Sequence, residues 1–187
     1  MEAILRKEVI SGRIAVRLTG LSVFIVLTTL GAFVRIPLPF SPVPVTLQTF
    51  FVLLAGASLG SGLGALSQAG YMLLGAAGVT VFTGAGSGLL YLSGPTGGYL
   101  AGFIAASFFI GCFIGRAKNL ISVFALFCLA SATILACGVL WLKVVLGYSF
   151  LKLMLIGFLP FVPGDMLKAL FAAAIYMKLR TRLKEIF

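Results

Sequence analysis

The chain has 187 residues, 61% of them hydrophobic and only 10% charged, with a formal net charge of +10 and a mean hydropathy of +1.19. Soluble domains carry about a quarter charged residues, so this composition belongs to an integral membrane protein. The positive charge does not signal nucleic acid, because the basic residues gather at the ends of apolar runs and not among polar and aromatic contact residues.

At about 20 residues per span the length allows about five to seven helices, and the alternating pattern of a membrane barrel is missing. The sequence predicts an all-α bundle of six spans in one domain covering 1–187, at about 14–34, 46–60, 62–78, 97–115, 120–146 and 154–178. Arg6, Lys7, Arg13 and Arg17 precede the first apolar run, Leu18 to Val34, which ends in Arg35-Ile36-Pro37 without a small-residue cleavage site. It reads as a retained first helix and not as a signal peptide.

The segment PLPFSPVPVT follows, and its prolines at 37, 39, 42 and 44 forbid helix and favour an extended loop. The second and third spans are short and separated at Ser61-Gly62. Next comes VTVFTGAGSGLLYLSGPTGG, rich in glycine and hydroxyls but without charge. A connection so long and so apolar is expected to fold back over the bundle as a lid. Small residues recur four apart, as in Gly56/Gly60/Gly64 and Gly94/Gly98/Gly102, spacing that suits close helix packing or a docking face for another membrane subunit.

Six spans put both ends of the chain on one side. That side holds ten basic residues, Arg6, Lys7, Arg13, Arg17, Arg116, Lys118, Lys178, Arg180, Arg182 and Lys184, against three opposite, Arg35, Lys143 and Lys152. The positive-inside rule therefore puts both termini in the cytoplasm of a cell (inner) membrane protein, with the proline loop and the lid outside.

The last apolar run, Leu153 to Met177, contains only two charges, Asp165 and Lys168; the other acids, Glu2, Glu8 and Glu185, lie at the chain ends. Charges placed there cost several kcal/mol unless paired, solvated or bound. Their i, i+3 spacing sets both on one helical face. Pro160 and Pro163 interrupt the run, so a helix is expected to start near Pro163 with the pair in its opening turns. An interrupted helix offers free amides and a positive dipole end to a cavity, a device suited to polar ligand groups. A salt bridge that only tethers helices is the alternative; the Pro-Gly ahead of Asp165 opens space beside it and favours a ligand.

Gln48 and Gln68 are the other large polar side chains inside spans, each able to contact a neighbouring helix or a ligand. Tyr91 and Tyr99 flank the Gly94-Pro95-Thr96-Gly97-Gly98 turn, as interface aromatics or as pocket walls. Histidine is absent, which excludes a Cys/His metal site, and Cys112, Cys128 and Cys137 form no Cys-x-x-Cys pair. The GAGSG stretch is followed by no Gly-Lys-Ser/Thr, so the chain has no Walker A motif and does not hydrolyse ATP by itself. No hydroxyl or thiol has a histidine base and only one carboxylate is internal, so enzymatic catalysis is not expected.

Four segments, Pro42-Val-Pro-Val-Thr-Leu-Gln-Thr49, Gly64-Ala-Leu-Ser-Gln68, Gly94-Pro-Thr-Gly-Gly-Tyr-Leu100 and Phe161-Val-Pro-Gly-Asp-Met-Leu-Lys168, resemble in order and spacing the BioY family. That family comprises biotin transporters, the substrate-binding S components of energy-coupling factor transporters. The resemblance covers nearly the whole chain. It implies six helices, an outward-facing biotin pocket covered by loops, and no cofactor. It also implies partners that supply energy: a coupling transmembrane protein and a pair of ATPase subunits. The expected ligand-binding residues are Asp165, Lys168, Gln48, Gln68, Tyr99, Tyr91, Thr83, Ser87 and Gly97. Such S components dock through Ala-x-x-x-Ala on the first helix, where this chain has Ala15-x-x-x-Thr19.

Biotin's chemistry suits this set. Its ureido ring offers two N–H donors and one carbonyl, and an apolar tail ends in a carboxylate. Asp165 and Lys168 together match the ureido edge; in a second pose Lys168 meets the biotin carboxylate. An S component for another vitamin would share the fold and differ in the pocket. A small channel or structural subunit, surrounded by membrane lipid, would need no tight ligand site.

Overall fold

Proline and glycine divide this chain into its elements. In a computed structural model, which describes the backbone over residues 2–186 and the side chains over 14–183, α1 runs Glu2–Phe33 and ends just before the proline segment. Arg6, Lys7, Arg13 and Lys184 lie outside the described side chains. The prolines sit between two short strands, β1 (Arg35–Ile36) and β2 (Val45–Thr46), paired antiparallel with Arg35 opposite Thr46. This extended hairpin leads directly into α2, Gln48–Ala76.

α2 is not one rod. Gly60 breaks it with φ +78° and ψ −177°, a backbone conformation that glycine alone adopts without strain. The reversal falls one residue before the predicted turn at Ser61-Gly62. The two arms fold back on each other: a Cβ on Gly64 would lie 2.9 Å from the Gly56 Cα, and Gln48 near one end reaches Tyr71 near the other. Gly56, Gly64 and Gly102 of the small-residue spacing thus serve packing inside the bundle, whereas a Cβ at Gly60 would meet open space. Gly56 sits against the Ser107 backbone of α4 (Gly97–Phe113), and Gly102 against Ile134 of α5 (Leu120–Leu146).

After α2 the chain closes over the bundle. Phe82 is fully buried against Gly75, where a side chain would collide with its ring. It stacks on Tyr91 at 4.9 Å and meets Tyr71 edge-on at 5.6 Å. Leu89–Ser93 forms a short helix, α3, that the sequence reading did not foresee. Trp141 donates its indole N–H to the Gly94 carbonyl and so ties the turn before α4 to α5.

α5 is the most apolar of the helices long enough to span a membrane, opened by an Asn119/Ser122 capping box and closed by Gly147 in the left-handed region. The last apolar run is broken as its prolines predict, into α6 (Phe150–Gly157), a 3-10 turn (Leu159–Phe161) and α7 (Val162–Ile186). Arg180 near the end of α7 donates to the Ala117 carbonyl between α4 and α5, which gathers Arg116, Lys118 and Arg180 at one end of the molecule. Among the described residues four helical runs are long and apolar enough to cross a membrane, Ile14–Phe33, Gln48–Ala76, Leu120–Leu146 and Phe150–Leu183, and Gly97–Phe113 is a shorter apolar helix.

Candidate ligand site

Asp165 lies in the first turn of α7, where the unpaired amides and the positive end of the helix dipole favour a carboxylate. It is 4% exposed. One turn on, Lys168 meets Asp165 Oδ1 at 2.5 Å. The ammonium also donates to the Thr49 hydroxyl, at 2.5 Å, and to the Thr46 carbonyl, at 2.9 Å. Thr49 Oγ1 in turn donates to Asp165 Oδ1 at 3.2 Å. The proline hairpin, the first arm of α2 and the start of α7 are therefore joined by one small cluster of polar groups. Every donor of the ammonium is engaged, as burial of a cation demands.

A second polar chain runs beside it. Gln48 Nε2 donates to the Tyr71 hydroxyl at 2.6 Å, and Tyr71 donates to the Val81 carbonyl of the covering loop. Gln48 Oε1 accepts from the hydroxyls of Thr46 and Thr83. Tyr91 holds the same loop by donating to the Thr83 carbonyl. The loop over 81–83 is thus fixed to α2 by side chains, not by a β-ladder.

Both polar chains border one cavity of about 40 Å³. Its polar lining comes from Thr46, Gln48, Thr49, Thr83, Asp165 and Lys168. Its apolar lining comes from Leu100 and Phe103 of α4, Ile134 and Leu135 of α5, and Phe161, with Tyr91 and Tyr99 also in the wall. Tyr99 is nearly buried and donates to the Gly157 carbonyl at 2.6 Å; it locks the bend between α6 and the 3-10 turn. The lining suits the apolar body of a ligand with a few polar atoms at one end. No group of side chains among the described residues could hold a metal ion.

Of the nine sequence-predicted residues, Asp165, Lys168, Gln48, Tyr99, Tyr91 and Thr83 line this cavity. Gln68, Ser87 and Gly97 do not. Gln68 accepts from Thr28 of α1 and donates to Ser67, a closed set of bonds between α1 and α2. Gly97 gives room for the Leu92 carbonyl and the Trp141 indole. The sequence reading missed Thr46 and Thr49. Both lie in the TLQT segment, and their signal was a pair of hydroxyls flanking Gln48 at a helix start.

A family model described as the BioY family matches residues 6–185. A probable biotin transporter BioY of Pyrococcus horikoshii is 40% identical over 159 residues, 85% of this chain and 93% of that protein. The biotin transporter BioY of Thermotoga maritima is 40% identical over 158 residues, 84% of this chain and 92% of that protein. Among solved structures, the S-component for biotin from an ECF-type ABC transporter matches with a TM-score of 0.81 at 28% identity, covering 88% of this chain and 90% of that one.

Proposed function

The chain belongs to the BioY family, and from that premise we propose that it takes up biotin with high affinity across the cell membrane, as the substrate-binding S component of an energy-coupling factor transporter. The likeness to named biotin transporters and to a biotin S-component supports this reading. It is a transporter subunit and not an enzyme, and biotin is its cargo, not a cofactor. Energy comes from a coupling transmembrane protein and a pair of ATPase subunits, in keeping with the missing nucleotide-binding motif.

The bundle spans the membrane six times as a single domain, the two arms of α2 counting as two short spans. Both termini are cytoplasmic, and the proline hairpin and covering loop face outward. The observation that carries the ligand reading is the Asp165–Lys168–Thr49 cluster at the edge of an otherwise apolar cavity. Asp165 accepts ureido N–H groups and Lys168 donates to the ureido carbonyl or to the carboxylate of the tail. Gln48 and Thr83 supply further hydrogen bonds, and Tyr91, Tyr99, Phe103 and Phe161 cover the apolar body.

Ligand pockets typically enclose about 300–1,000 Å³, far more than the 40 Å³ present here. Biotin therefore enters by displacing the loop over 81–83, whose tie to Gln48 is the bond from Thr83. Titration of biotin into the purified protein in detergent tests the reading, with riboflavin and thiamine as competitors. Saturable, one-site binding that the other vitamins do not displace is expected. Absence of saturable biotin binding would overturn it.

A further inference from the structure

Several hydroxyls inside these helices satisfy themselves on the preceding turn, as Thr29 does on the Ile25 carbonyl and Thr133 on the Leu129 carbonyl. Ser131 of α5 does not. It is 4% exposed, and its hydroxyl has no hydrogen-bond partner among the described residues. On α7, Asp165 Oδ2 is likewise buried without a partner, while Oδ1 is held by Lys168 and Thr49. Both residues line the same crevice between α5 and α7, about 200 Å³ in volume and otherwise walled by side chains such as Leu135, Phe158 and Val162. Ser107, the third buried side-chain group without a partner among the described residues, lies at the α2–α4 crossing against Gly64 and not in this crevice.

A buried hydroxyl and a buried carboxylate oxygen in a membrane bundle both need partners. They make no direct bond to each other. A carboxylate oxygen only accepts, whereas a hydroxyl donates and accepts, so a water between them satisfies both in one direction. Ser131 donates to the water and the water donates to Oδ2. The crevice is far larger than the roughly 10–15 Å³ that one water occupies, and the two groups give it the polar partners it requires.

We propose that this crevice is a water-binding site and that, through the bound water, Ser131 is a positioning residue for Asp165. Lys168 and Thr49 fix one carboxylate oxygen from the cavity side, and the bridged water fixes the other from α5. The carboxylate plane is then set from both sides, with one lone pair of Oδ2 left for a ligand N–H. The effect on ligand rests on Asp165 being a biotin-binding group, but the water site itself does not.

The test uses Ser131→Thr and Ser131→Val, which match in shape and differ in the hydroxyl. Asp165 is the only aspartate in the chain, so aspartate labelled with 13C at the side-chain carboxyl reports on it alone. The threonine variant should keep the parent's Asp165 resonance and bind biotin within about twofold of it. The valine variant should shift that resonance even without biotin and bind roughly tenfold more weakly, the loss of one hydrogen bond. If the valine variant does not fold, Ser131→Ala makes the same comparison with the parent. Identical resonances in the hydroxyl-bearing and hydroxyl-free proteins would overturn the water site. Should the parent bind no biotin, the functional reading fails, and the resonance comparison alone then supports or overturns the water site.

Discussion

Gln48 and Gln68 stand on the two arms of one folded-back helix, and both are almost wholly buried, yet their surroundings differ in kind. Gln68 belongs to a closed set: Thr28 donates to it, it donates to Ser67, and Ser67 donates to the Gly64 carbonyl. None of its members lines the cavity that borders Gln48. Gln48 sits in an open set that ends on the covering loop and adjoins the Asp165–Lys168–Thr49 cluster. A closed polar set inside a membrane bundle is a tether. An open one beside a cavity is a place where a ligand's polar atoms can be received.

The contrast is sharpened most by Lys168→Ala. It leaves the buried Asp165 carboxylate without its cation, and breaking a buried pair costs about 3–5 kcal/mol. Thermal unfolding should therefore drop steeply, and biotin affinity should fall with it. Calorimetry and binding on the same preparation check this; a variant as stable as the parent would mean that the pair is dispensable to both.

Thr49→Val comes next. The shape is kept, but the hydroxyl that receives Lys168 and donates to Asp165 is lost. Affinity should fall roughly tenfold, about 1–1.5 kcal/mol for the hydrogen bonds removed, with only a modest change in stability. Isothermal titration with biotin reads the difference, and unchanged affinity would show that the cluster is indifferent to its hydroxyl.

The smallest effect on binding is expected for Gln68→Leu. The closed set is cut, so the unfolding temperature should fall by a few degrees, in line with about 1 kcal/mol for a buried side-chain hydrogen bond. Biotin affinity should stay within about twofold of the parent. A tenfold loss of affinity would erase the distinction between the two glutamines.

That distinction was not available in the sequence, where both glutamines are large amides in apolar runs. It depends on which neighbours the reversal at Gly60 brings round, and a turn offset of one residue rotates a helical face by about 100°. Asp165 and Lys168 were legible because charge in an apolar run is expensive and i, i+3 spacing fixes their common face. Thr46 and Thr49 were not, because hydroxyls are common in membrane helices and usually satisfy themselves on the preceding turn. The helix boundaries at Phe33 and Val162 followed from proline. The short helix Leu89–Ser93 carries no comparable signal, since its five residues are held by their contacts with α2 and α4.

The central claim is that the Asp165 cluster receives a ligand and is not merely a brace between helices. Asp165→Asn tests it most directly, because the side chain keeps its size but loses its charge and exchanges one acceptor oxygen for an N–H donor group. Affinity for biotin and unfolding temperature should be measured on the same purified, monodisperse variant. A loss of roughly ten- to a hundredfold in affinity is expected, the value of a hydrogen bond to a charged group, in protein that remains folded. A variant that unfolds more readily but binds biotin with the parent's affinity would contradict it.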